Sequence, residues 1–382
     1  MSKTVYADNA ATTAVSPEVL EQMLPYFIEK SGNPSSIYSI GRAAREGVDK
    51  ARRQTAKALH AHLDEIFFTS GGSESDNWAL RGIAHAQAKK GRHIITTAIE
   101  HHAILHTANA LEKEGFSITY LQPDAYGIIT PESLKAAIQP DTTLVSVMYA
   151  NNEIGTLEPI PALAQICHEQ GILFHTDAVQ AVGHVPIDVQ ADHIDLLSLS
   201  SHKFHGPKGI GALYIRKGLR FPNLIEGGSQ ERGRRAGTEN VPGIVGLGEA
   251  ISRACESIPT TSAYVRTLRN RLQEGLLAIP HTHLNGHPEK RLPGNLNILF
   301  DDIEGEGLLL LLDQHNICAS AGSACATGAV KPSHVLTAIG LSEKQAHSAL
   351  RLTLDSINTA EDIDYIMQTT REIIDHLRSL SY

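Results

Sequence analysis

Short β-rich runs alternate with longer amphipathic stretches along the first 260 residues, and this alternation most strongly limits the possible folds. The pattern is typical of βαβ units, in which helices connect neighbouring parallel strands. Several of the helical stretches end at a glycine, which is a common helix stop. The predicted strands are residues 66–70, 93–99, 143–150, 173–179, 196–200 and 211–216, and the main helical stretches between them are 74–91, 102–115 and 161–171.

The pattern changes near Val241, where longer helical periods begin. A single strand follows at 295–300, then a helix at 305–316 and a last helix near 360–380. A chain of 382 residues is long enough for two domains. We therefore predict an α/β fold: a large, mostly parallel-sheet domain over 13–259 and a smaller α+β domain over 260–382, which the N-terminal segment 1–12 joins.

Composition predicts a soluble globular protein, with 42% apolar and 20% charged residues. The net charge of −9 argues against a broad nucleic-acid surface, so direct nucleic-acid binding is not expected. The N-terminus has no apolar signal-peptide core, and no run is long enough to span a bilayer. We expect a cytoplasmic protein without membrane contact.

Four cysteines are too few and too scattered for a disulfide framework, and no closely spaced pair indicates a zinc site. No metal is expected. The cysteines that matter are therefore predicted to be free thiols: Cys167, Cys255, Cys318 and Cys325.

In open α/β sheets, ligands bind beyond the carboxyl ends of the strands. After the first predicted strand come Gly71, Gly72 and Ser73, where backbone N–H groups and a hydroxyl meet the positive end of a helix. This arrangement favours a phosphate site, although an ordinary N-capped turn explains the same residues.

Polar residues also follow the later strands. They are Glu100, His101 and His102, then Asn151, Asn152 and Glu153, then Asp177 and Gln180, and finally Ser201, His202 and Lys203. A lysine at a strand end is usually solvated, and a buried aspartate usually caps a turn. Together, however, the residues supply an amine for an imine, a carboxylate for a ring nitrogen, an aromatic ring and phosphate-binding hydroxyls. That combination points to pyridoxal phosphate, whose ring nitrogen a nearby carboxylate keeps protonated.

Eight motifs, in one order, carry a resemblance to a known family. They are DNAATT, TSGGSESDN, EHH, NNEIG, HTDAVQ, SHKFHGPKGIGALY, RRAGTEN and AGSACATG. Over nearly its whole length the chain resembles a cysteine desulfurase of the nitrogen-fixation and iron–sulfur-assembly type. This group belongs to the class V aminotransferase-like, fold-type I pyridoxal-phosphate enzymes.

The resemblance implies roles for single residues. Lys203 would bind the cofactor covalently, and Lys208 would be a surface lysine. His101 would stack on the pyridine ring and shuttle protons, Asp177 would pair with the ring nitrogen, and Gln180 with the ring hydroxyl.

Further positions match the family's phosphate and substrate contacts. The phosphate would be held by Gly72, Ser73, Ser200 and His202. Asn152 would lie near the cofactor and the substrate carboxylate, and Arg351 would grip that carboxylate, for which a planar guanidinium is well suited. Thr238 matches a position that reaches the phosphate of a neighbouring subunit, which implies a homodimer.

Cys325 lies among small residues and two glycines in SAGSACATGAV, which predicts a loop. The chemistry requires a thiolate nucleophile, and Cys325 is the candidate. Attack on the substrate sulfur would give a Cys325 persulfide and release alanine. The remaining cysteines fit structural roles, and Cys318 fits that of a buried one.

Two other features affect possible partners. Arg232, Arg234 and Arg235 form either a solvated charged loop or a local patch for nucleic acid. Where the family commonly has Leu-Gly and a basic residue after the substrate arginine, this chain has Leu354-Asp355-Ser356, which predicts a changed charge at the site entrance. The chain also ends at Tyr382, without the docking tail of housekeeping relatives, so we expect a different sulfur acceptor.

The prediction is a dimeric, pyridoxal-phosphate-dependent cysteine desulfurase that acts on L-cysteine and passes sulfur to an acceptor protein. A selenocysteine lyase or an aminotransferase of the same fold is an alternative, and so is an inactive sulfur-relay scaffold. An iron–sulfur cluster scaffold, a tRNA-thiolation enzyme and a DNA-phosphorothioation partner are all possible acceptors.

Overall fold

The computed structural model describes residues 4–321 and 332–380. Numbered along the chain, its strands are β1 Val5–Tyr6, β2 Ile66–Thr69, β3 His93–Thr97, β4 Ser117–Leu121, β5 Thr142–Ser146, β6 Leu173–Asp177, β7 Leu196–Ser200, β8 Gly211–Ile215, β9 Thr282–Asn285, β10 Asn295–Phe300, β11 Ile317–Cys318 and β12 Ala349–Thr353.

The helices begin and end close to the predicted positions where a prediction was made. They are α1 Pro17–Met23, α2 Pro25–Ile28, α3 Ser39–Leu59, α4 Gly72–Gln87, α5 His102–Lys113, α6 Pro131–Ala137, α7 Ile160–Glu169, α8 Gln230–Gly233, α9 Val241–Leu277, α10 Gly305–Gln314, α11 His334–Ala338, α12 Glu343–His347 and α13 Ala360–Leu380. Short 3-10 turns cover Leu63–Glu65 and Ser201–Lys203.

A seven-stranded sheet forms the centre of the fold, in the order β2-β8-β7-β6-β5-β3-β4. Of these strands, β8 runs antiparallel to both of its neighbours, and the remaining pairings are parallel. The mostly parallel α/β architecture predicted from the alternation is confirmed. Every residue of the central strands β5 and β7 is buried, as expected for a sheet that is covered by helices on both faces.

Helix α4 covers one face of the sheet with a large aromatic side chain. Trp78 is 1% exposed and lies edge-on between Phe67 and Phe221, with ring centroids 5.9 Å apart in each pair. Its indole N–H donates to the carbonyl oxygen of Pro222. The packing fixes α4 rigidly, and with it the glycine-rich turn that opens the helix.

A second sheet, in the order β12-β10-β9, is antiparallel, and β1 pairs with β11 in parallel. Of these strands, sequence predicted only β10. Strand β12 was missed although Leu350 and Leu352 alternate with Arg351 and Thr353. Strand β4 was missed at a sheet edge, where most of its side chains keep some exposure.

One continuous helix crosses the predicted domain boundary at residue 259. The first part of α9, up to Ile251, packs into the apolar core around the large sheet. The last part, from Val265, packs into a second core together with Val5 and Ala7 of the N-terminal segment. The division into 13–259 and 260–382 therefore stays a prediction.

Among residues 4–321 and 332–380, no helix is both long enough and apolar enough to cross a membrane. In the same part of the chain, no group of three or more His, Cys, Asp and Glu side chains is arranged to hold a metal ion.

Candidate active site

Lys203 lies in the turn that follows β7, at the carboxyl end of the parallel strands, and is half-buried. Its Nζ donates hydrogen bonds to the carbonyl oxygens of Ala10 (2.6 Å) and Ala11 (2.8 Å). Lys208, five residues later, is exposed. The fold therefore draws the first lysine inward, against the N-terminal segment, and leaves the second at the surface.

Gln180 lies beside Lys203. It is 8% exposed and follows the end of β6 by three residues. Its Nε2 donates to the carbonyl oxygen of Ala10 at 3.0 Å, the same atom that accepts from Lys203. The N-terminal segment thus brings together two residues that are 23 positions apart in sequence.

Asp177 is the last residue of β6 and is 6% exposed. Its Oδ1 accepts a hydrogen bond from the backbone N–H of Val179 at 2.9 Å. Burial raises the pKa of Asp177, while the nearby His101 and Lys203 and the Val179 N–H act in the opposite direction. A buried carboxylate of this kind is stabilised by a cationic partner.

His101 is the N-cap of α5, and its Nδ1 accepts a hydrogen bond from the backbone N–H of Ala103 at 3.1 Å. Loss of hydration lowers the pKa of His101, and Lys203 lowers it further, whereas Asp177 raises it. His101 is exposed. A neutral imidazole in this position can stack on a planar ligand and exchange a proton with it.

The turn before α4 provides an uncapped helix N-terminus. Gly71 has φ +151°, and no side chain in the described part of the chain caps this end of the helix. A Cβ at Gly72 would lie 2.7 Å from Val179 Cγ2, so only glycine fits there without movement. Ser73 is exposed in the first turn. Free N–H groups and a hydroxyl at this end of a 16-residue helix favour an anion.

Ser200 lies next to this turn, and His202 follows it by two residues. Ser200 is 5% exposed, and a Cβ at Gly71 would lie 3.6 Å from its Oγ. The Nδ1 of His202 lies 3.0 Å from the hydroxyl oxygen of Thr12. Burial lowers the pKa of His202 to about 4, with Lys203 and Lys208 adding to the effect, so the ring is neutral near pH 7.

Arg351 is 3% exposed in β12 and points toward Asn152. One terminal nitrogen donates to the carbonyl oxygen of Asn152 at 3.0 Å, and the other pairs with Asp8 at 2.8 Å. Its buried Nε has no hydrogen-bond partner among the described residues. Arg351 and Asn152, which the resemblance places at the substrate carboxylate, thus lie in contact, and beside them lies a carboxylate, Asp8, that sequence reasoning did not assign.

The three neighbouring arginines are only partly solvated, since Arg232 is exposed but Arg234 and Arg235 are half-buried. The guanidinium of Arg232 lies over the ring of Phe67 at 4.5 Å, and that of Arg234 over Phe221 at 4.8 Å. Arg235 makes two hydrogen bonds, of 2.9 and 3.1 Å, with the carboxylate of Glu74. The three guanidinium groups therefore contact aromatic rings and a carboxylate. A nucleic-acid patch would need these groups to face solvent and bind phosphates.

Thr238 follows these arginines and is exposed. It lines a surface depression together with Ser70, Gly209 and Arg235. The position leaves its hydroxyl accessible to a second chain.

Cys325 lies outside the described residues. Burial raises the pKa of the Cys167 thiol to about 12 and that of Cys255 to about 11, and it also raises the pKa of Cys318. Cys318 is only partly buried, in the two-stranded pairing β1–β11, so its prediction as a buried core residue is wrong. None of these three described thiols is disposed to ionise at neutral pH.

Asp355 is not a charge at the site entrance, and this prediction is also wrong. It is 6% exposed, and its Oδ2 lies 3.0 Å from the Nε2 of His205. The hydrogen bond turns the side chain inward after β12, so that Asp355 becomes part of a buried pair.

A buried polar network behind Asp177 escaped the sequence reasoning. His175, on the same face of β6, contacts Ser146 Oγ (2.8 Å) and Ser198 Oγ (3.0 Å), and lies 3.7 Å from Asp76. Burial lowers the pKa of His175 to about 3, so this ring is neutral. The two-residue spacing of His175 and Asp177 in a strand was the available signal, because such residues share a face.

The arrangement fits pyridoxal phosphate. It offers a primary amine at Lys203, a buried carboxylate at Asp177 and a histidine ring at His101. After the end of β2, the uncapped N-terminus of α4 has no room for a Cβ at Gly72.

Comparisons with known proteins agree with this geometry. The family model of the class-V aminotransferases matches residues 5–366. The cysteine desulfurase IscS of Methanosarcina thermophila is 57% identical over 380 residues, which cover 100% of this chain and 94% of that protein. A solved structure titled NifS-like protein superposes with a TM-score of 0.93 at 40% identity, over 98% of this chain and all of that one.

A further solved structure, titled SspA in complex with cysteine, is 39% identical and has a TM-score of 0.83, over 93% of this chain and all of that one. The fold, the grouping of site residues and the full-length similarity lead to one conclusion. The chain belongs to the class-V aminotransferase family and, within it, to the cysteine desulfurases of the NifS and IscS type.

Proposed function

We propose that this protein is a pyridoxal-phosphate-dependent cysteine desulfurase, which converts L-cysteine to L-alanine and transfers the sulfur to its own Cys325. In the net step, the carbon–sulfur bond of cysteine breaks, a sulfur–sulfur bond forms on Cys325, and the β-carbon gains a proton. The sulfur is oxidised and the carbon is reduced by the same electron pair. The observation that carries the proposal is the convergence of Lys203, Asp177 and His101 at one end of the sheet, in a chain 57% identical to a cysteine desulfurase.

When bound, the cofactor supplies an electrophilic aldehyde and a protonated ring that withdraws electrons from the substrate. Lys203 would hold it covalently, and Asp177 would keep the ring nitrogen protonated. Gln180, which lies beside Lys203, would bind the ring hydroxyl. The phosphate group would be bound by the N-terminus of α4 and its surroundings, that is, by Gly72, Ser73, Ser200 and His202.

Arg351 and Asn152 bind the carboxylate of the substrate. The Asp8 carboxylate and the Asn152 carbonyl occupy the two terminal nitrogens of Arg351, which fixes the guanidinium plane. The unpaired Nε–H remains to donate to an anion. An unpartnered buried donor costs about 1–3 kcal/mol, so a substrate carboxylate at this point gains from relieving it.

Proton movement is assigned to His101 and Lys203. His101 has a lowered pKa, which favours the neutral ring near pH 7. Its Nδ1 accepts the hydrogen bond from the Ala103 N–H, so the neutral ring carries its hydrogen on Nε2 and can donate it from that nitrogen, while Lys203 takes up a proton.

Cys325 is the sulfur-accepting nucleophile. Cys167, Cys255 and Cys318 are disfavoured for this role because burial raises the pKa of each thiol. The persulfide then passes to a thiol of an acceptor protein. An iron–sulfur assembly protein is the first candidate acceptor, because the curated relatives carry the name IscS.

The working form is a homodimer in the cytoplasm. Large apolar side chains are exposed in the N-terminal region of the described chain, which is unusual for a monomer surface. They are Leu20, Leu24, Phe27, Ile28, Ile37, Tyr38 and Ile40, with exposures from 45% to 89%. A second copy would cover such residues and would bring its Thr238 to the phosphate site.

The direct test is incubation of the purified protein and pyridoxal phosphate with L-cysteine. Alanine release together with one added sulfur on the peptide that contains Cys325 supports the proposal. Turnover of selenocysteine alone, or amino-group transfer to a keto acid without persulfide, would replace it with one of the related activities.

A further inference from the structure

His205, which is half-buried, and Asp355, which is buried, form a contact between the lysine turn and the end of the small sheet. The Nε2 of His205 lies 3.0 Å from Oδ2 of Asp355, whose side chain is 7% exposed. The other ring nitrogen, Nδ1, lies 3.1 Å from the carbonyl oxygen of Ala14. A carbonyl and a carboxylate can only accept, so both ring nitrogens must carry a hydrogen. The geometry thus requires His205 to be an imidazolium ion.

The backbone of His205 is held on both sides by the N-terminal segment. Its φ is +64°, a left-handed conformation that is uncommon for a residue other than glycine. Its N–H donates to Thr13 Oγ1 at 2.8 Å, and its carbonyl oxygen accepts from the Ser16 N–H at 3.1 Å. Such a conformation persists only where several contacts determine it.

The same N-terminal segment contacts both the lysine turn and β12. On one side, Lys203 bonds to Ala10 and Ala11. On the other side, the Ala10 N–H donates to Thr353 Oγ1 at 2.9 Å. Residues 9–14 therefore lie between the turn that carries Lys203 and the strand that carries Arg351, and the His205–Asp355 contact spans the same two elements directly.

We propose that the His205–Asp355 ion pair positions the Lys203 turn against the N-terminal segment. We call this ion pair the clamp, and His205 must be protonated for the clamp to hold. This inference rests on the proposed function in that Lys203 is the cofactor-binding lysine. His205 and Asp355 act through Lys203 and are positioning residues.

The charges around the pair support this arrangement. The hydrogen bond that His205 donates to Asp355 raises the pKa of His205, although burial acts against it. Burial raises the pKa of Asp355, but His205 and His184 outweigh this and lower it to about 2. Other titratable groups lie near the pair. His184 contacts the carbonyl oxygen of Lys203. Glu18, Arg253 and Glu256 line a depression together with His205.

The pH window follows from these directions. The raised pKa of His205 contributes stability that is complete below the unfolded value near 6.5 and is lost as the pH rises through the folded pKa. The lowered pKa of Asp355 contributes stability that is complete above about 4 and is lost as the pH falls through about 2. The contribution of the pair to stability is therefore complete from about pH 4 to 6.5, and the pair is lost in the folded protein as the pH rises through the raised pKa of His205.

The test compares wild-type holoenzyme with Asp355→Asn, His205→Gln and the double variant. Asparagine keeps the size of aspartate and an oxygen for the Ser356 N–H, which now bonds to Asp355 Oδ1. The control is Asp301→Asn, which removes a His283–Asp301 contact of 2.9 Å whose side chains are 59% and 31% exposed. Denaturant unfolding is measured from pH 5 to 9, and NMR of the labelled His205 ring gives its pKa in the wild type.

We expect the unfolding equilibrium constant of the wild type to rise with pH, by about tenfold for each unit by which the His205 pKa is raised. Asp355→Asn and His205→Gln should remove this rise equally, the double variant should add nothing further, and Asp301→Asn should keep it. With pyridoxal phosphate added to the apo form, covalent attachment at Lys203 should be several-fold slower in the first two variants. Attachment is measured by borohydride reduction and peptide mass spectrometry.

Additive effects of the two substitutions in the double variant would contradict the proposal that His205 and Asp355 form an ion pair. A His205 pKa at or below 6.5 would contradict it as well. Unchanged attachment rates in both single variants would overturn the positioning role. If wild-type protein releases no alanine from cysteine, the proposed function fails, and the unfolding and NMR titrations still decide whether the pair exists.

Discussion

Lys203 and Gln180 donate hydrogen bonds to one acceptor, the carbonyl oxygen of Ala10, at 2.6 and 3.0 Å. The N-terminal segment is therefore part of the candidate active site and not a peripheral tail. Since the acceptor is a backbone atom, its position depends on the path of residues 9–14, which Thr353 and Thr13 also hold.

Replacing Lys203 with alanine should abolish covalent cofactor attachment and reduce alanine release by a factor on the order of a thousand or more. Lys208→Ala is the matched control, because Lys208 is exposed. Borohydride reduction followed by mass spectrometry locates the modified lysine. Modification of Lys208 in the wild type would disprove the assignment.

Asp177→Asn should retain the cofactor but lose activity by about a hundredfold or more, because the ring nitrogen loses its charged partner while the phosphate contacts remain. Bound cofactor is measured by absorbance and activity by alanine release. A variant that turns over at the wild-type rate would contradict the pairing with the ring nitrogen.

Arg351→Lys should raise the KM for cysteine about tenfold and change kcat less. A lysine can still pair with Asp8, but it cannot keep the Asp8 and Asn152 contacts and present a further N–H to the substrate. Steady-state kinetics measure both constants. An unchanged KM would place the substrate carboxylate elsewhere.

Cys325→Ser should bind the cofactor and cysteine, yet accumulate no persulfide and release little alanine, since a serine hydroxyl does not ionise near neutral pH. Cys318→Ser is the control and should retain activity. Mass spectrometry after incubation with cysteine locates the added sulfur, and finding it on Cys318 would reverse the assignment.

Shared active sites predict complementation between two inactive or weakened variants. A mixture of Lys203→Ala and Thr238→Ala chains, refolded together, should form one intact site in each mixed dimer and regain activity that neither variant has alone. Sedimentation measures the dimer, and Ile37→Asp should weaken it, because Ile37 is 89% exposed in the single chain. A monomeric wild type would contradict this prediction.

The order of strands and helices in the large sheet could be predicted from sequence, because hydrophobic periodicity is a local property. The runs that became β6 and β7 are buried throughout or nearly so, and each ends at the polar residues from which a site was predicted. The motifs around Lys203, Asp177 and His101 likewise identified the family, because several short motifs in one order are specific even where each one is common.

Only the tertiary structure decided which distant residues meet. The sequence predicted Asp355 to be a charge at the site entrance, but the fold turns it inward onto His205, 150 positions away. The sequence did not show that the three arginines near residue 234 lie against aromatic rings and Glu74. Periodicity reports which face of an element is buried, whereas the partner of a buried charge depends on how separate elements pack, and no local pattern records that.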